Sequence, residues 1–199
     1  MNQQIKGFIK GHPRRSSHGQ DLYAYYILGD NGYFVDIGAH DGKDGSNTYA
    51  LEKAGWSGIC VEPSPIHQEA LFKNRSCIID TSLVYGEKVK KKYFIDSYDE
   101  NYEEYKAHQE LLKGEEHKFI NFHAFLGGSG IVDHLDEDYE DRLKGEYVEI
   151  ETTTLLDILE KHNAPKVIEF LDIDIEGAEF EVIKNFPFDE YEFKIICIE

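Results

Sequence analysis

The sequence of 199 residues has little positive charge, few cysteines and no long apolar run. Lys and Arg total 21 against 39 Asp and Glu, so the net charge of −18 argues against a nucleic-acid partner or a polybasic membrane anchor. No apolar run approaches the roughly 18 residues of a membrane-spanning helix, and the N-terminus lacks the apolar stretch of a signal peptide. Three scattered cysteines do not make a disulfide scaffold or a zinc site. We expect a soluble, cytoplasmic protein with reduced thiols.

The sequence does have apolar residues in quantity, 41% of the total, which is enough for a folded core. Apolar runs alternate with helix-like stretches, a pattern typical of a mostly parallel sheet covered by helices. We therefore predict a single α/β domain over residues 1–199. Strands are predicted at 32–37, 57–62, 77–84, 89–95, 147–152, 167–173 and 193–198. Helices are predicted at 47–54 and 65–73, from Thr154 onward, and at 178–185.

Residues 96–146 interrupt this alternation with an acidic, Tyr-rich and weakly periodic segment. A segment of this length inside a compact domain is either a functional lid or a solvated insertion, and the sequence leaves both open. His123 and His134 lie in it and are candidate bases, although surface histidines explain them equally well.

The loop after the first predicted strand carries the first chemical signal. Gly38 allows the backbone to approach a ligand closely, and Asp36, Asp41 and Asp44 place carboxylates beside it. These acids would repel a pyrophosphate, and neither G-x-G-x-x-G nor a P-loop is present, which disfavours an NAD(P) dehydrogenase. Glu62 ends the next predicted strand, where an acidic residue accepts hydrogen bonds from a ribose diol. This combination favours a cationic nucleoside, S-adenosylmethionine.

Acidic residues also cluster where the strand predicted at 167–173 meets the next helix. Asp172 and Asp174 fall on one side of an alternating strand, and Glu176 and Glu179 follow. The two glutamates could instead only stabilise the helix N-terminus. Asp172, Asp174 and Glu176 could hold Mg²⁺ or Ca²⁺, an alternative that the sequence does not favour.

Several motifs, in order, resemble those of the FkbM-type methyltransferases. Residues 34–42 read FVDIGAHDG, and SNT (46–48), LE (51–52), GWSG (55–58) and VEP (61–63) follow. A second block, TL (154–155) and LDIDIEGAE (171–179), and SHGQD (17–21) also resemble the family. The resemblance covers about residues 17–95 and 126–199. It implies an S-adenosylmethionine-dependent methyltransferase with a three-layer α/β/α Rossmann-like sheet, typically methylating hydroxyl oxygens of sugars or other small metabolites.

The resemblance also implies roles for individual residues. Asp174 faces the cofactor's ammonium and the transferring methyl group, and an alcohol acceptor needs a nearby proton acceptor, so Asp174 and Glu176 are the predicted catalytic residues. Glu62 is assigned to the ribose, and Ser129-Gly130-Ile131 matches a short element of the family. The cofactor-binding residues implied are Gln20, Asp21, Asp36, Gly38, Ala39, His40, Asp41, Asn47, Thr48, Glu62, Pro63, Thr81, Ser82 and Asp174.

The sequence departs from the family pattern in two places. Many relatives have Lys or Ser where this chain has Asp172. The chain also stops at Glu199, in the fifth strand of the parallel sheet, whereas the full methyltransferase sheet has two further strands. We therefore expect an apparently truncated sheet whose exposed edge could support a homo-oligomer. The alternative function is a catalytically inactive or truncated Rossmann-like binding module.

Overall fold

The structure is a computed structural model that describes Phe8, residues 16–94 and residues 147–199. The segment predicted as a lid or insertion at 96–146, with His123, His134 and Ser129-Gly130-Ile131, lies outside the described residues. The elements, in chain order, are α1 (Gln20–Leu28), β1 (Tyr33–Ile37), α2 (Tyr49–Lys53), β2 (Ser57–Val61), α3 (Pro65–Asn74), β3 (Ile78–Asp80), β4 (Leu83–Val84), β5 (Lys90–Phe94), β6 (Tyr147–Thr153), α4 (Leu155–Lys161), β7 (Val167–Ile173), α5 (Glu179–Ile183) and β8 (Glu192–Ile198). None of the helices in these ranges is long and apolar enough to cross a bilayer.

The central sheet has five strands in the order β3-β2-β1-β7-β8, and all four neighbouring pairs are parallel. The predicted mostly parallel Rossmann-like sheet is therefore confirmed. The chain builds outward from β1 to β3 and then returns to the other side of β1 through β7. In open α/β sheets, ligands bind where the strand order reverses in this way.

Both faces of the sheet carry a hydrophobic core, which confirms the predicted three-layer α/β/α architecture. On one face, α4 and α5 pack on alternate strand residues such as Val35 and Ile37. On the other face, α1, α2 and α3 pack around Phe34 and Phe170. Each fully buried Leu, Ile or Phe in these clusters contributes about 1.5–3 kcal/mol through burial. Because both faces are covered, a polar side chain at the end of a central strand must interrupt one of the two cores.

The prediction of one strand at 77–84 is wrong, because the structure divides these residues between two sheets. Its first half is β3, in the central sheet, and its second half is β4, in a smaller sheet of order β4-β6-β5. The break follows Asp80, whose carboxylate accepts hydrogen bonds from the Ser82 amide at 2.9 Å and from Lys161 Nζ at 2.8 Å. These bonds turn the chain away from the central sheet.

Helix starts agree with the sequence signals in part. Thr154 is the N-cap of α4 and forms a capping box, its amide donating to Asp157 Oδ2 at 3.1 Å and its hydroxyl accepting from the Asp157 amide at 3.2 Å. Ser64 precedes α3, but its side chain makes no capping hydrogen bond. The helix predicted from Asn47 begins at Tyr49, with Thr48 at its N-cap position.

Candidate functional site

A cavity of about 500 Å³ opens at the carboxyl ends of β1, β2 and β7. This is the point at which the strand order reverses. Among the described residues that line it there are acids, hydroxyls, an amide and two histidines, but no Lys or Arg. The predicted site residues in its lining are Asp36, Gly38, Ala39, His40, Asn47, Glu62, Pro63, Ser82, Asp172, Asp174 and Glu176. Two separated blocks of sequence therefore meet in one cavity.

Gly38 brings two strand ends together. Its φ is +91°, and a Cβ at this position would lie 1.7 Å from the Asp174 carbonyl oxygen. Hydrogen bonds fix the same junction: the Gly38 amide donates to Val61 at 2.9 Å and the Asp174 amide donates to Ile37 at 2.9 Å. The close approach that the sequence suggested is thus an approach between backbone segments, which shapes the cavity from behind.

Glu62 is a buried carboxylate at the cavity wall, 5% exposed. It accepts hydrogen bonds from the His40 amide at 2.9 Å and the Ser64 amide at 2.7 Å. Burial raises its pKa to about 7 in spite of these bonds. A carboxylate has about four acceptor positions, so two remain for donors in the cavity.

Two imidazole rings form another part of the wall. The ring centroids of His40 and His67 lie 3.7 Å apart at an angle of 43°. His40 adopts a positive φ of 49° in the loop after β1, and His67 is buried in the first turn of α3. Sequence reasoning missed His67. Its place in the helix that opens directly after Glu62 and Pro63 is the signal that could have found it.

Asp36 and Asp172 stand side by side in the register of the sheet. Together with Cys60 on β2 and Cys197 on β8 they form one transverse row across four strands, the row Cys60-Asp36-Asp172-Cys197. Burial, and then the neighbouring Asp36 charge, raise the pKa of Asp172 to about 7. Asn47 Nδ2 donates to both Asp172 oxygens, at 3.1 and 3.0 Å.

Asp174 lies directly after β7 beside two other acids. Carboxylate oxygens of Asp174, Glu176 and Glu199 all lie within 4.8 Å of one another. Desolvation of its carboxylate, and then Glu199 and Glu176, raise the pKa of Asp174 to about 8. Glu199 thus lies with Asp174 and Glu176, while Asp172 is directed to Asn47, and the metal set of Asp172, Asp174 and Glu176 stays a prediction.

Glu179 holds the turn that presents these acids. Its Oε1 accepts hydrogen bonds from the Ile175 amide at 2.9 Å and the Gly177 amide at 3.1 Å. Glu176, in the same turn, has a positive φ of 61°. The structural interpretation of Glu179 at the helix N-terminus is therefore the one that the hydrogen bonds support, whereas Glu176 lines the cavity.

Some predicted cofactor-binding residues lie outside the described cavity lining. Burial would raise the pKa of Asp41, but hydrogen bonds from His40 and from the Lys43 and Asp44 amides lower it to about 2. The buried carboxylate of Asp21 accepts from the Ser16 hydroxyl at 2.5 Å. These side chains act within the protein, and their contact with a cofactor stays a prediction. The residues outside the lining are Gln20, Asp21, Asp41, Thr48 and Thr81.

A cation that sequence reasoning missed lies behind the loop. Arg75, directly after α3, is 4% exposed, and its Nη1 lies 3.9 Å from Asp36 Oδ2. A single Arg after a helix carries no pattern that separates it from a surface residue. Its burial shows that the acidic site has a positive charge beneath it.

Comparison with known proteins gives one match. A protein-family model described as the Methyltransferase FkbM domain matches residues 36–199, a span that contains both blocks of the cavity lining after β1 and β7. No curated protein and no solved structure matches the chain significantly.

Proposed function

The chain belongs to the FkbM methyltransferase family, and on that premise we propose that it methylates a hydroxyl oxygen of a sugar or another small metabolite with S-adenosylmethionine. One observation carries the proposal. The cavity at the strand ends is lined by carboxylates and, among the described residues, by no Lys or Arg. Such a wall favours a cationic cofactor over one that carries phosphates.

The residues present fit this cofactor. A cavity of about 500 Å³ lies within the usual range of ligand pockets, roughly 300–1,000 Å³. Glu62 has acceptor positions left for the hydroxyls of a ribose, and the His40–His67 pair offers an aromatic wall. Asp36 and Asp172 lie side by side at the ends of β1 and β7, and an ammonium or sulfonium group bound there would favour their carboxylate forms.

The bound cofactor would supply an electrophilic methyl group, so the protein has to position the acceptor and remove its proton. Asp174 is the candidate base. With a pKa of about 8, it changes protonation near neutral pH. A positive charge nearby favours the carboxylate form, so a cationic ligand would lower this pKa and prepare Asp174 to accept a proton.

A divalent cation is the alternative way to handle the acceptor. The oxygens of Asp174, Glu176 and Glu199 are of the type that Mg²⁺ and Ca²⁺ prefer. Methylation assays with and without a chelator separate the two proposals, because only the metal-dependent reaction would be lost in the chelator.

Calorimetric titration with S-adenosylhomocysteine tests the proposed function directly. We expect binding by the wild-type protein and a loss of about tenfold or more in affinity for Glu62→Gln, since a charged hydrogen-bond acceptor is removed. Glu169→Gln is the matched control, because Glu169 contacts Tyr33 and Lys194 outside the cavity. Absence of binding by the folded wild-type protein would contradict the proposal and leave a non-enzymatic binding module.

A further inference from the structure

Arg75 makes an unusual number of contacts for one buried side chain. Its Nε donates to Glu52 Oε2 at 2.5 Å. Its Nη1 donates to the Gly42 carbonyl at 3.0 Å and lies 3.3 Å from Ser46 Oγ, and its Nη2 donates to Thr48 Oγ1 at 2.9 Å. The planar guanidinium can serve all of these acceptors at once because its donors have fixed directions.

The charge of Arg75 is balanced on two sides. Glu52 lies on one side, and Asp36 Oδ2 lies 3.9 Å away on the other. A buried cation without such partners would be strongly unfavourable. Burial alone would raise the pKa of Glu52, but hydrogen bonding to Arg75 lowers it, whereas burial raises the pKa of Asp36 by more than Arg75 lowers it. Thr48 completes the connection, since its hydroxyl accepts from Arg75 and donates to Asp36.

Three of these contacts fall on one loop. Gly42, Ser46 and Thr48 belong to the segment between β1 and α2, which also lines the cavity through His40, Ser46 and Asn47. Asn47 directly precedes Thr48 and donates to both oxygens of Asp172. The hydrogen bond from Arg75 to Thr48 therefore also fixes the position of the Asn47 side-chain amide relative to Asp172.

We propose that Arg75 is a positioning residue, which holds the loop of residues 38–48 from behind and keeps it in the shape that receives the cofactor. The proposal rests on the proposed function. Arg75 itself does not line the cavity, so it acts through Thr48, Ser46 and the Gly42 carbonyl.

Glu169 allows this role to be separated from a purely structural one. It accepts hydrogen bonds from the Tyr33 amide and from Lys194 Nζ, and neither Glu169 nor these partners line the cavity. Glu169→Gln therefore weakens a hydrogen-bonded carboxylate and leaves the contacts of Arg75 in place. Thr48→Val keeps the shape of the side chain and removes only the hydroxyl between Arg75 and Asp36.

The experiment combines amide hydrogen exchange of the ligand-free protein with S-adenosylhomocysteine titration and thermal unfolding. For Thr48→Val and Arg75→Gln we expect exchange of the 38–48 segment, and the dissociation constant, to increase about tenfold or more, as the loss of a charge-assisted hydrogen bond would produce. Arg75→Lys should recover part of both. Glu169→Gln should lower the melting temperature but leave loop exchange and affinity unchanged.

Two results would overturn the proposal. One is unchanged loop exchange and affinity in Thr48→Val, a variant that is conservative enough to fold if Arg75→Gln does not. The other is an equal effect of Glu169→Gln on loop exchange, which would mean that loop exchange follows global stability and not the contacts of Arg75. Failure of the wild-type protein to bind S-adenosylhomocysteine would count against the proposed function instead, while the exchange measurement still decides the role of Arg75.

Discussion

Replacing Asp172 by Asn should stabilise the ligand-free protein at alkaline pH. Asp172 is 5% exposed and stands beside Asp36, and its pKa is raised to about 7 by burial and by that neighbour. The folded state therefore binds a proton more tightly than the unfolded state does. The free energy of unfolding therefore falls as pH rises from about 4 through 7, because the folded state disfavours the charged form of Asp172.

The size of the effect follows from the two pKa values. A rise from 3.8 to about 7 corresponds to an upper limit of about 4 kcal/mol above pH 7. Between about pH 5 and pH 8.5 the difference is about 2–3 kcal/mol. The amide introduced by Asp172→Asn would keep one of the two acceptor oxygens now facing Asn47, so about 1 kcal/mol of hydrogen bonding is lost at every pH. Because this loss is the same at every pH, it does not change the expected difference in stability between pH 5 and pH 8.5.

Thermal unfolding followed by circular dichroism measures the difference. For a chain of this length, about 2–3 kcal/mol corresponds to about 4–12 °C in melting temperature. The melting temperature of Asp172→Asn, measured relative to wild type, should therefore be higher by about this amount at pH 8.5 than at pH 5. Asp189→Asn, at an exposed position, should show no such gain. An effect of equal sign and size at both pH values would refute the reasoning, because the charge of Asp172 would then cost the fold nothing.

Two further predictions concern Asp174, after β7, and Gly38, after β1. Asp174→Asn should reduce methyl transfer by about 100-fold or more, as loss of a general base does. The melting temperature should not fall, because the amide removes the desolvation and the repulsion from Glu199 and Glu176 that raise the pKa of Asp174; equal loss of activity and stability would make the residue structural. Gly38→Ala should lower the free energy of unfolding in urea well below that of Gly45→Ala. Both positions have a positive φ, but only at Gly38 does the new Cβ meet backbone, whereas none lies within 4 Å at Gly45; equal losses would contradict the clash.

The sheet could be predicted from the sequence because its strands are strongly apolar. The apolar runs at β1, β2, β7 and β8 stand out from the helices between them, and their limits agree with the structure to within a residue or two. The division of residues 77–84 could not be seen, because both halves are apolar. What separates them is the hydrogen bonding of Asp80, a contact with Lys161 that is remote in sequence. The helix α1 was also missed, since Tyr23, Tyr26 and Ile27 leave apolar side chains exposed on it.

The candidate site was predictable where it consists of neighbours in sequence. The loop after β1 and the acids after β7 carry their pattern locally, and both line the cavity. Contacts between distant segments were not predictable. The meeting of Glu199 with Asp174 depends on the pairing of β8 with β7, and Arg75 is buried because a loop far from it in sequence folds over it. Pairing and burial of this kind are properties of the assembled sheet.

The transverse row Cys60-Asp36-Asp172-Cys197 also bears on how the protein is made. Its members come from β2, β1, β7 and β8, and β8 follows the other three strands in the chain. During synthesis, Asp36 and Cys60 can meet early, but the far side of Asp172 stays open until β8 pairs with β7. A shift of β8 by one residue would turn Cys197 to the opposite face. Asp172 therefore has Cys197 as its neighbour only when β8, the last of these strands, has joined the sheet in the correct register.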